Sequence, residues 1–214
     1  MGLGDSLRKW ATSKAGEMLS DVVEQATGGK SAGESTGKST GKSARELAEE
    51  QQHREEVASL PLASVQLSVT GHATGRWSGQ LHWARNDISP NDPDPTDPYA
   101  DRPLVWFELF SEDTAPPDLG GLALTHWSFQ IPGFHGDGTY DLTAINRERE
   151  AAGAAPEYLE WAMDFANGDD ASFYFYADAG QSTVTVSEGG KKLDVTIAMS
   201  GARGELVATA TIAV

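Results

Sequence analysis

Leu62-Ala63-Ser64-Val65-Gln66-Leu67-Ser68-Val69-Thr70-Gly71 decides the fold class. Val65, Leu67 and Val69 alternate with Gln66, Ser68 and Thr70, the period of two that sets one face of a strand toward a core. Gly71 to Gly75 supplies a turn, and Trp77, Leu81 and Trp83 resume the alternation, so the first two strands form a hairpin.

The same pattern continues to the end of the chain. Val105, Phe107 and Leu109 mark one strand and Trp127, Phe129 and Ile131 the next; Tyr140, Leu142 and Ala144 predict another. Further runs centre on Trp161 and Met163, Phe173 and Phe175, Val184 and Val186, Leu193 to Met199, and Leu206 to Ile212. Asn167-Gly168-Asp169-Asp170, Glu188-Gly189-Gly190 and Gly201 to Gly204 are hairpin signals between them. Only Asn146 to Ala155 offers a short helical turn, so a parallel α/β fold is disfavoured. About ten strands between Gly, Asp, Asn and Pro clusters predict an all-β fold, an antiparallel β-sandwich or jelly roll, over residues 60–214.

Upstream the composition changes. Leu3, Leu7, Trp10, Met18, Leu19 and Val22 recur at helical spacing, which predicts an amphipathic helix over residues 1–27, stopped by Gly28-Gly29. Residues 28–42 form a flexible Gly/Ser/Lys/Thr-rich linker. Ser43-Ala44-Arg45-Glu46 is a capping box that opens a second, charged helix over residues 43–59, with a thin stripe of Ala44, Leu47, Ala48 and Val57. Because the first helix precedes a spacer, its stripe needs a surface to cover it. A protein partner or a second copy is the preferred occupant, ahead of the chain's own domain. A membrane surface is disfavoured because Glu17, Asp21 and Glu24 make the helix's second half acidic.

The net charge is −16, and residues 60–214 carry eight Lys/Arg against twenty-two Asp/Glu, or −14. So acidic a surface repels phosphate backbones and disfavours nucleic acid as a partner. The chain has no cysteine, no continuous apolar leader and no apolar run of spanning length, a combination from which a soluble, cytoplasmic protein is expected.

Several motifs invite a chemical reading. Ala32-Gly33-Glu34-Ser35-Thr36-Gly37-Lys38-Ser39 matches a permissive phosphate-binding loop, but no hydrophobic strand enters it, and the repeat Gly41-Lys42-Ser43 marks it as spacer. No nucleotide is expected there. No cofactor is expected; Asp92, Asp94, Asp97 and Asp101 lie in a proline-rich loop and are the candidate ligands should calcium bind. The spacing is not that of an EF-hand, and a stiff solvated loop is the alternative reading.

His72, His82, His126 and His135 lack the spacing of a local metal site, and His82 and His126 fall opposite Trp83 and Trp127 on half-exposed positions. Gly75-Arg76-Trp77-Ser78-Gly79 sets its serine one place late for a nucleophile elbow. Both strand faces are aromatic in Phe173-Tyr174-Phe175-Tyr176, which suggests an outside contact. No catalytic residue stands out. These features point to a non-enzymatic binding or scaffold protein tethered through its N-terminal helix to a partner or to itself; the alternative is a hydrolase or lyase, with carbohydrate as one candidate substrate, whose carboxylates line a sandwich cleft.

Overall fold

A computed structural model describes residues 44–88, 96–112, 114–153, 162–166, 171–175, 180–201 and 204–214. The docking stripe from Leu3 to Val22, the linker, the Gly37-Lys38-Ser39 motif, Asp92, Asp94, Trp161 and Tyr176 lie outside the described residues, as do the side chains of 171–175. The chain divides into two compact units, the second being Leu60–Val214. In the first unit α1, Ala44–Ala58, carries hydrogen-bonded pairs four residues apart, Arg45 to Glu49, Gln51 to Glu55 and Gln52 to Glu56. Leu47 is exposed, whereas His53 and Val57 are buried one turn apart. No helix among the described residues is long and apolar enough to cross a membrane.

The second unit is built from β1 (Leu62–Gly71), β2 (Gly75–Ile88), β3 (Leu104–Phe110), β4 (Ala123–Pro132), β5 (Gly138–Asp141), α2 (Leu142–Ala151), β6 (Ala162–Ala166), β7 (Ala171–Phe175), β8 (Thr183–Ser187), β9 (Lys192–Gly201) and β10 (Gly204–Ala213). All ten strands are antiparallel members of one sheet, as the period-two pattern requires of an all-β fold. The pairings run β1-β2-β3-β4-β6-β7-β9-β10 and return to β1, so the sheet closes on itself and most strand edges are paired. The closed sheet surrounds one buried core.

Along β9 the neighbour changes: Lys192 to Thr196 pair with β8, and Met199 and Ser200 pair with β7. Ser182 bridges this switch. Its buried Oγ accepts the Ala198 N–H at 2.9 Å, in place of a ladder bond. Its own N–H donates to Thr143 Oγ1 at 2.9 Å, and that hydroxyl donates to Gly180 O at 3.1 Å, which ties α2 to the sheet.

Alternation along the strands fills the interior. Val65, Leu67, Val69, Leu81, Trp83, Phe107, Trp127, Phe129, Met163, Ile197 and Ile212 belong to one buried cluster. Trp83 stacks on Phe107 at 5.2 Å between centroids, and Phe107 meets Phe129 at 5.4 Å. One expected strand is cut short. β5 ends at Asp141, whose carboxylate accepts the Ala144 N–H at 2.9 Å as a helix N-cap, so Leu142 and Ala144 begin α2 rather than continue a strand. The helical turn expected from Asn146 is thus a ten-residue helix that starts at Leu142 and buries Leu142, Ile145 and Arg149.

Candidate functional site

Where β2 ends and β3 begins, the rim of the closed sheet opens into a cleft of about 650 Å³. Its walls come from the ends of those strands, from residues 100–103 and from the turn 134–136. Phe134 plugs the core at this end. Its ring meets Phe107 edge-on at 6.3 Å and stacks on Tyr140 at 5.6 Å with 15° between planes. The Arg85 guanidinium lies over the same ring, 4.9 Å from its centroid. Arg85 faces Phe107 across the β2–β3 ladder, so it stands at the end of the inward-facing row that starts with Trp77 and Leu81. There it leaves the apolar core for the rim, and its Nε and Nη2 donate to Asp87 Oδ1 at 3.2 and 3.0 Å.

The opposite wall is a loop held by α2. Asp97 Oδ2 accepts from Arg149 Nε at 2.9 Å and lies 2.6 Å from Nη2, and both side chains are nearly buried. Asp97 Oδ1 accepts the Tyr99 N–H at 2.9 Å, and the Tyr99 hydroxyl donates to Glu148 Oε2 at 2.7 Å. Burial, then that bond to a carboxylate, push the Tyr99 phenol up to about 12, so it remains a neutral donor throughout the physiological range. The Arg102 guanidinium lies over the Tyr99 ring, 4.7 Å from its centroid. Gly133, at φ 71°, lets this pair sit close: a Cβ there would meet Tyr99 Cδ1 at 3.0 Å and Arg102 Cδ at 3.4 Å. Two arginine-on-aromatic stacks therefore flank one cleft.

A second polar cluster occupies the face of β3, β4 and β6 turned away from the core. His126 Nδ1 is 3.3 Å from Asp164 Oδ2, and its Nε2 is 3.5 Å from Glu108 Oε1. Asn86 Nδ2 donates to Glu108 Oε2 at 2.9 Å, and Phe110 stacks on the imidazole at 4.8 Å. Register explains the grouping, because His126 is directly paired with both Phe110 and Asp164. Burial alone would lower the imidazole, but hydrogen bonds and charge from Asp164 and Glu108 outweigh it and push His126 up to about 9. None of these residues lines the cleft. Among the described residues no set of three or more His, Asp or Glu side chains is disposed to hold a metal ion.

The residues singled out in the sequence scatter. Of the four aspartates, Asp97 is committed to Arg149 and would have to leave that pair to bind calcium, while Asp101 lines the cleft and is exposed. His82 and His126 are nearly buried rather than half-exposed, the first with Nδ1 at 3.2 Å from Leu60 O. His135 lines the cleft, and His72 does not. The cleft residues Arg85, Arg102 and Phe134 carry no sequence motif. Glu108 does leave a signal, as the one charge inside the otherwise apolar Leu104 to Phe110.

Family models, curated proteins and solved structures were compared with the chain, and none matches.

Proposed function

We propose that this is a non-enzymatic binding protein: the closed sheet is a frame for the rim cleft, and the N-terminal helical stripe docks the chain on a protein partner or on a second copy. One observation carries the reading of the sheet. The cleft walls are braced by the Arg85–Phe134 and Arg102–Tyr99 contacts and by the Asp97–Arg149 pair of the loop. Preorganised concavity of this kind lowers the ordering cost of binding. The docking role rests on Leu3, Leu7, Trp10, Met18, Leu19 and Val22, whose apolar stripe needs a cover.

Deleting residues 1–27 tests the docking role. Sedimentation of the full-length chain should show a concentration-dependent species larger than the monomer, or a stoichiometric complex with a purified partner, and the truncated chain should lose it. Its β unit should melt at an unchanged temperature. A truncated chain that melts much earlier would place the stripe on its own domain and end the docking reading.

A further inference from the structure

We infer that the rim cleft takes a small molecule bearing an oxyanion, a carboxylate or a phosphate, and that Arg102 is the group that receives it. The inference rests on the reading of the cleft as a binding site and adds the ligand's chemical class.

Its basis is the contrast between two arginines. Arg85 directs Nε and Nη2 to Asp87, so that edge of its guanidinium is engaged. The Arg102 guanidinium has no hydrogen-bond acceptor or ion-pair partner among the described residues; its contact is the face of Tyr99. The contact with Tyr99, which Glu148 and the Asp97 turn in turn hold, keeps the exposed guanidinium beside the ring and leaves its N–H donors open. Gly133 packs closely against the pair, and residues 134–136 line the cleft together with Arg102.

A guanidinium offers paired parallel N–H donors that match the two oxygens of a carboxylate or phosphate, and holding it against a ring reduces the entropy lost on forming both bonds. A simple apolar ligand would leave those donors unanswered. A cationic ligand would meet Arg102 and Arg85 together. Asp87, the acidic residue nearest to competing for an anion's place, is already bonded to Arg85. Asp101 is exposed at the rim, as Arg102 is, so water screens the two charges alike and the paired geometry of the guanidinium gives the preference.

Three probes of one size separate the possibilities: benzoate, phenyl phosphate and neutral benzamide. Each is titrated into the full-length protein while the amide resonances of Gly133, His135 and Gly136 are followed at low ionic strength. Benzoate, phenyl phosphate or both should shift these resonances saturably and bind at least about tenfold more tightly than benzamide, the ratio expected for one charge-assisted contact. Which of the two binds more tightly assigns the source as carboxylate or phosphate. Arg102→Gln, which keeps a flat side chain on Tyr99, should reduce the anions to the benzamide level, whereas Arg76→Ala, the same charge change outside the cleft, should leave them unchanged. Equal binding of benzamide and the anions would overturn the oxyanion inference and leave the cleft reading standing. An equal loss in Arg76→Ala would overturn it as mere bulk charge. No binding of any probe would overturn both.

Discussion

Replacing His126 by leucine lowers the stability of the β unit by about 3–5 kcal/mol at pH 7, the cost typical of removing one partner from a buried ion pair. The expectation rests on what is left behind. Glu108 has a side chain only 4% exposed, so without the imidazolium it keeps Asn86 as a neutral partner and loses its cation. Asp164, at 28%, is more hydrated and suffers less. A leucine of similar volume restores some contact with Phe110 but offers no charge. A urea titration that finds His126→Leu within about 0.5 kcal/mol of the parent, the range of an ordinary surface substitution, would mean that water already solvates the cluster.

The same cluster gives the protein a pH dependence on the alkaline side. His126 titrates at about 9 in the fold against about 6.5 in an unfolded chain. A raised folded pKa means that the native state holds the proton more tightly. The contribution is therefore complete below the unfolded value and is lost as pH climbs through about 9. Each unit is worth about 1.4 kcal/mol, so the loss totals about 3 kcal/mol. Unfolding free energies followed from mildly acidic to alkaline pH should fall more steeply for the parent than for His126→Leu. Parallel profiles would show that the imidazole is not charged in the fold.

What the sequence discloses and what it conceals follow from the range of the interactions. Alternation at Val65, Leu67 and Val69 is a local property, and it identifies strands because a pleated chain has a period of two whatever it pairs with. Closure of the sheet is set by β10 pairing with both β1 and β9, the first pairing between segments more than 130 residues apart, and no local pattern encodes it. Alternation also misleads where both faces of a strand are buried. Leu104 to Phe110 buries Trp106, Glu108 and Phe110 as well as Val105, Phe107 and Leu109, so the neighbouring His126 is not at a half-wet position. Tyr140, Leu142 and Ala144 show the opposite failure. Their spacing suits a strand, but the Asp141 cap three residues before Ala144 starts a helix, and side-chain capping outweighs a three-residue pattern. The cleft is illegible in the sequence because Arg85, Tyr99, Arg102 and Phe134 are spread over three segments that only the fold assembles.

Arg149→Met should destabilise the β unit by about 3 kcal/mol or more, for the same reason as at His126 but with a different consequence for the cleft. Arg149 and Asp97 have side chains 8% and 12% exposed, joined at 2.6 and 2.9 Å across 52 residues of sequence. Methionine fills much of the buried stem's volume, so the loss isolates the charge that Asp97 is left to carry alone. Asp97→Asn in the same chain removes that charge while its side-chain oxygen can still accept the Tyr99 N–H. The double variant should then recover more than half of the loss, and the cycle should return a coupling of at least about 1 kcal/mol, as expected of residues in contact. Hydrogen exchange locates the damage. If the pair anchors the cleft wall, the amides of Tyr99, Ala100 and Arg102 lose protection in Arg149→Met before those of β1 and β10 do, because the loop can open locally without unfolding the closed sheet. A single variant that exchanges uniformly faster would assign the pair to global stability alone, and one indistinguishable from the parent would deny it any structural role. Loss of protection confined to the loop would make Arg149, on a helix outside the sheet, the positioning residue on which the Tyr99–Arg102 wall depends.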